Sequence, residues 1–186
     1  MAEEVGLFEV LHNMRAMRRL KPDPVPDELI KKIIRAGLGA PSGGDVQHWR
    51  FIVVKDKEIK KEIQVLYKKA LEQLLPRYQT NPPPPGKTEE QKLRMLNAVV
   101  YLTEHFHEAP VLIVGCLIGD FAASIGLAKM SGASIYPAVQ NMLLAARALG
   151  LGATLTTRHL IFETEVNDIL GLPDNAETFS LPSAPR

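Results

Sequence analysis

Apolar residues recur at helical spacing in several stretches of the chain. Val5, Phe8, Leu11 and Met14 predict a first amphipathic helix over 5–17. A second begins near Pro26, with Asp27 and Glu28 at its positive end and Leu29, Ile30, Ile33 and Ile34 as its apolar stripe, and it stops between Gly37 and Pro41. Between them, "RAMRRLKPDPVPDE" is a basic connector that its prolines keep extended. "FIVVKD" reads as a short buried strand, and Asp56 can cap a long helix bearing Ile59, Ile63, Leu66, Ala70 and Leu74. "APVLIVGCLIG" has the unbroken apolar run of a strand covered on both faces. From Pro137 to Leu149 only Gln140, Asn141 and Arg147 interrupt small or apolar positions, as in a central helix or one at a subunit interface. After Gly150 and Gly152, "ATLTT" predicts a strand, and "ETEVNDILGLP" a short helix closed by Gly171.

"PRYQTNPPPPGKTEEQ" interrupts this alternation. Four consecutive prolines make a stiff, extended connection, and residues beyond 89 return to helix until about 108. The flanks are too short for two independent cores, so residues 76–92 predict an excursion, in the manner of a lid, within one domain spanning 1–186. Helices and strands mix without clean alternation, which indicates an α+β fold.

The chain has 186 residues, is 46% hydrophobic and carries a formal charge of +1. That balance argues against broad attraction to nucleic acid or anionic membrane. No apolar run approaches the roughly 20 residues that span a bilayer. "MAEEVGLFEV" lacks the basic flank of a signal peptide, and the lone Cys116 excludes an internal disulfide, so the expected location is the cytoplasm.

Two stretches carry candidate chemistry. "GAPSGGDVQHWRF" joins a helix end to a strand, yet matches neither a P-loop nor a dinucleotide fingerprint. It is either a structural turn or a loop in which Gly43 and Gly44 bring backbone N–H groups close to a planar ligand, with Ser42, Asp45 and Gln47 adding hydrogen bonds. In "MRAMRRLK", Arg15 and Arg18 would share a side at the end of a helix, as a solvated basic face or a forked phosphate clamp. "HFHEAP" lacks the further ligands of a zinc site, Ser42, Asp45 and His48 are too close along the chain for a triad, and Cys116 lies in a strand core.

Taken in order, "MRAMRRLKPDPVPDELIKKII", "GAPSGGDVQHWRFIVV", "SIYPAVQNMLLAARALGLGATLTT" and "EVNDILGLP" resemble the nitroreductase family of FMN-dependent oxidoreductases. The resemblance implies a mixed or antiparallel central sheet flanked by helices, in an intertwined homodimer with FMN at the subunit interface. Arg15, Ala16 and Arg18 then fall where the family holds the FMN phosphate. Pro41, Ser42, Gly43, Asp45 and Gln47 fall where its loop lines the flavin, and Leu155, Thr156 and Thr157 where a strand passes the isoalloxazine, usually from the partner subunit. The implied reaction passes hydride from NAD(P)H through flavin N5 to a small oxidised acceptor such as a nitroaromatic or quinone, with no side-chain acid or base. Tyr67, the proline-rich segment and Phe106 are candidate borders of the acceptor pocket. Met14 and Ala16 replace the family's Arg and Ser, and Asp45 stands where Asn is common. The sequence closes on "ETFSLPSAPR" before the family's usual tail, which predicts a looser hold on FMN. Two alternatives follow from these departures and from the divergent lid: an FMN-binding dimer with little turnover, or a flavin-dependent dehalogenase.

Overall fold

A computed structural model describes residues 5–119 and 125–180. Among these, helices α1 (Leu7–Asn13), α2 (Asp27–Leu38), α3 (Lys57–Thr80), α4 (Glu89–Glu104), α5 (Ile125–Ala148) and α6 (Glu163–Leu170) surround strands β1 (Trp49–Val54), β2 (Leu112–Ile118) and β3 (Ala176–Ser180). The strands form an antiparallel sheet in the order β1-β2-β3, with Trp49 opposite Leu117 and Val54 opposite Leu112. This is the α+β architecture expected.

Period-two alternation divides the core. Trp49, Ile113 and Leu117 pack with α2 and α5 residues such as Ile33, Ile135 and Met142. Val54, Leu112 and Val114 face the other way, onto Ile63, Tyr67, Leu102 and Val166 of α3, α4 and α6. An apolar run without alternation is therefore needed in β2, because both of its faces are buried. Helices α2 and α5 approach closely at Gly37, where a Cβ would stand 2.9 Å from Met142 Cγ. Asn141, one of the polar interruptions in α5, donates to the Ala36 carbonyl at 3.2 Å and joins the same pair.

Local chemistry sets the helix ends. Asp56 Oδ1 accepts from the backbone N–H groups of Glu58 and Ile59, at 2.8 and 3.0 Å, and starts α3 as its sequence position predicts. Thr88 and Gln91 form a reciprocal capping box at the start of α4. Gly171, at φ 64°, closes α6.

Several boundaries differ from expectation. Helix α3 continues through Pro76 to Thr80, so the irregular segment is 81–88 rather than 76–92. The carbonyl that Pro76 leaves without a donor belongs to exposed Glu72, and buried Lys92 donates to the Gln79 and Asn81 carbonyls at the helix end. Helix α5 likewise begins twelve residues before Pro137, whose freed carbonyl is on exposed Ala133. Helix α1 stops at Asn13, four residues short. "ATLTT" holds isolated bridge residues, among them Ala153 in a parallel bridge to Ala16, rather than a strand. There the Thr156 hydroxyl accepts from the backbone N–H of Arg158 at 3.5 Å, local bonding that competes with a ladder. Strand β3 was absent from the predicted elements.

Candidate functional site

The early end of α1 changes the arginine pair. Met14 is extended, Ala16 bridges Ala153, and Met17 N–H donates to the Ala153 carbonyl at 2.9 Å, so the chain has left the helix before Arg15. Side chains three apart lie on opposite sides of an extended chain, not on one side as in a helix. Arg15 accordingly lines a cleft of about 290 Å³ with Met17, Arg147 and Gly152, whereas Arg18 lines a different cavity. The shared-side clamp expected of Arg15 and Arg18 is not assembled. Arg15 Nη1 instead donates to the carbonyls of His12 and Met14, both at 2.7 Å.

Arg18 meets Leu155 and Thr156 around a cavity of about 220 Å³, walled by Tyr67, Tyr78 and Arg158 with aliphatic residues of α4. Tyr67 is fully buried, stacks on Phe106 with ring centroids 4.5 Å apart, and shares a 2.7 Å hydrogen bond with Thr156 Oγ1. The Arg158 guanidinium lies 4.4 Å from the centroid of the Tyr67 ring and donates to Thr103 Oγ1 at 2.8 Å. Burial pushes the Tyr67 hydroxyl above its ordinary pKa, against the opposing pull of Arg158, the Thr156 hydrogen bond and Arg18. Among the described residues, two guanidiniums and no carboxylate line the cavity. Its chemistry suits a ligand with an apolar aromatic body and negative charge. Phe106 is buried beneath Tyr67 and does not line it.

The 41–47 loop does not line this cavity. Gly43 N–H donates to Ser134 Oγ of α5 at 3.1 Å, Ser42 Oγ accepts from Gln47 N–H at 3.2 Å, and Gln47 Nε2 donates to Asp45 Oδ1 at 2.8 Å. Gly44 takes φ 62°, but so do two residues with side chains: Asp45 at φ 54° and Gln47 at φ 49°. Left-handed backbone at Gln47 is uncommon and stores strain of about 1 kcal/mol or more, which is characteristic of ligand loops. Pro41 and Thr157 are exposed.

Sequence reasoning missed Arg158, Tyr78 and Arg147. Arg158 directly follows the "LTT" residues and was within reach of the same motif. Tyr78 was hidden because the helix appeared to end at Pro76. Among the described residues no three metal-ligating side chains cluster, and His105 instead stacks on Tyr101 at 4.0 Å.

The sequence profile of the Nitroreductase family matches residues 12–181. Rat iodotyrosine deiodinase 1 is 30% identical over 178 residues, covering 94% of this chain and 59% of that protein. The chain thus spans about three fifths of the length of the mammalian deiodinases that it matches over 94% of its own length. A protein of Archaeoglobus fulgidus, provisionally named NADH dehydrogenase/NAD(P)H nitroreductase, is 28% identical over 95% of this chain and 82% of its own length. Among solved structures, iodotyrosine deiodinase bound to FMN and 3-iodo-L-tyrosine superposes with a TM-score of 0.75 at 21% identity, covering 97% of this chain and 90% of that one. The NADPH:FMN oxidoreductase of Vibrio harveyi gives a TM-score of 0.71 at 21% identity, over 97% and 68%. These two likenesses establish a shared fold.

Proposed function

The chain belongs to the nitroreductase family, and from that premise we propose that it is an FMN-dependent oxidoreductase that carries reducing equivalents from NAD(P)H to a small oxidised acceptor such as a nitroaromatic or quinone. The observation that carries this reading is the convergence of Arg18, Leu155 and Thr156 on one cavity of aromatic and aliphatic walls, with two guanidiniums and no carboxylate among the described residues. FMN pairs a planar aromatic ring with an anionic phosphate, and this donor set fits both. When bound, it supplies the hydride chemistry.

The roles left to the chain are binding and electrostatics. Arg18 and Arg158 place positive charge beside the cavity and stabilise negative charge that develops there. Leu155, Thr156 and Tyr67 shape its wall, and the Tyr67–Thr156 hydrogen bond fixes the Thr156 hydroxyl. Arg15, with Ala16 beside it on the bridge to Ala153, serves the anionic end from the neighbouring cleft.

In this proposal a second copy of the chain completes the site. Pro41, Ser42, Gly43, Asp45 and Gln47 would come from the partner, since their loop does not line the Arg18 cavity of its own chain. The exposed apolar side chains of α1 support a homodimer: Leu7 is 63% exposed and Phe8 74%. No described helix is long and apolar enough to cross a membrane. The single cysteine is free and buried, which favours a cytoplasmic setting.

Steady-state oxidation of NADPH or NADH by the FMN-loaded protein, with menadione or a nitroaromatic as acceptor, tests the activity. Turnover that requires FMN is expected. A chain that binds FMN but oxidises neither nucleotide contradicts it, and leaves a flavin carrier.

The likeness to the deiodinases favours one second reading, reductive dehalogenation, in which two electrons and a proton replace iodide by hydrogen. Release of iodide from 3-iodo-L-tyrosine by the reduced protein would select it.

A further inference from the structure

A second cleft, of about 400 Å³, opens between the 81–88 segment and α4. It shares Arg18 and Met95 with the Tyr67 cavity, so the two adjoin. Among the described residues its charged lining is Arg18, Lys87, Lys92 and Arg94, without a carboxylate. Lys92 is 9% exposed, spends hydrogen bonds on the Gln79 and Asn81 carbonyls, and stands 3.4 Å from Glu89. Arg94 reaches Glu90 at 3.4 Å. Both glutamates are largely exposed, so solvent weakens their compensation. Arg18 and Lys87 have no carboxylate partner among the described residues.

The Lys92 ammonium and the backbone that carries Lys87 are also held in place. Prolines 82–85 stiffen the segment, Lys87 N–H closes a turn onto the Pro84 carbonyl at 2.9 Å, and the Thr88 capping box fixes the next residue. Only Gly86, at φ 76°, needs a glycine to complete that turn. Positive charge on a stiff loop is preorganised for an anion.

We propose that this cleft binds the 2′-phosphate on the adenosine ribose of the reductant, so that the electron donor is NADPH rather than NADH. The inference rests on the oxidoreductase reading above and narrows it to one donor. A phosphomonoester carries a charge of about −1.5 to −2 at neutral pH and three acceptor oxygens, which matches several cations better than a single carboxylate does. It is also the group by which the two nicotinamide cofactors differ. Lys87 and Arg94 line this cleft and not the Tyr67 cavity, so they discriminate donors without forming its wall.

Calorimetric titration of the FMN-loaded chain with adenosine 2′,5′-bisphosphate and with adenosine 5′-monophosphate tests the site. The bisphosphate should bind about tenfold tighter or more, the worth of one charge-assisted hydrogen bond. In the exposed double variant Lys87→Ala/Arg94→Ala that ratio should fall towards one. Equal affinities in the wild type, or an undiminished ratio in the variant, overturn the proposal. Steady-state kinetics separate it from its premise. Oxidation of both nucleotides at equal kcat/KM removes the phosphate site and keeps the oxidoreductase. Selective bisphosphate binding without oxidation of either nucleotide removes the oxidoreductase and keeps the site.

Discussion

Tyr67 and Thr156 meet hydroxyl to hydroxyl at 2.7 Å across 89 positions of sequence, and both are buried. Their bond ties α3 to the segment that passes the candidate site. Thr156→Val leaves the buried Tyr67 hydroxyl without its partner, at about 1–3 kcal/mol, whereas Tyr67→Phe leaves Thr156 Oγ1 only the longer 3.5 Å bond from Arg158 N–H. Tyr67→Phe and Thr156→Val should therefore each destabilise, and the double variant by less than the sum. Urea denaturation of the four proteins measures the coupling, and additivity within about 0.5 kcal/mol would show that the contact contributes nothing.

Asp56 is the side-chain cap of α3, a 24-residue helix that carries Tyr67 and Tyr78 to the cavity. Asp56→Ala should cost about 1 kcal/mol, and Asp56→Asn much less, because the amide oxygen still accepts from the helix. A denaturation midpoint that falls equally in both variants would assign the effect to charge rather than capping.

His159 is 1% exposed, and neither ring nitrogen has a hydrogen-bond partner among the described residues. Burial pushes its pKa down from 6.5 to about 4. In the unfolded chain the ring takes up a proton near its ordinary pKa, while the folded chain resists until far lower. Stability is therefore unaffected by this group above pH 6.5 and is lost as pH falls towards 4, by about 3 kcal/mol in all. His159→Leu should flatten that part of the stability-against-pH curve. An identical slope in the variant would mean that other groups set the acid limit.

Much of this arrangement was legible in the sequence, and the rest was not, for physical reasons. The unbroken run in β2 announced a strand buried on both faces, and Asp56 marked the start of α3, because each signal is local. The shared side expected of Arg15 and Arg18 does not form, because spacing places them together only if the helix continues past Asn13, and it does not. Pro76 and Pro137 appeared to bound helices, but a proline is tolerated where the carbonyl it strands lies on an exposed residue. The positive φ of Asp45 and Gln47 has no signature in residue type. Strand β3 depends on pairing with β2, which no local pattern records.

Equilibrium titration of the purified chain with FMN, followed by quenching of flavin fluorescence, tests the central claim most directly. Saturable binding is expected, and Arg18→Ala should weaken it about ten- to a hundredfold, as loss of a charge-assisted hydrogen bond would. A folded chain that leaves flavin fluorescence unchanged at any FMN concentration would contradict the account.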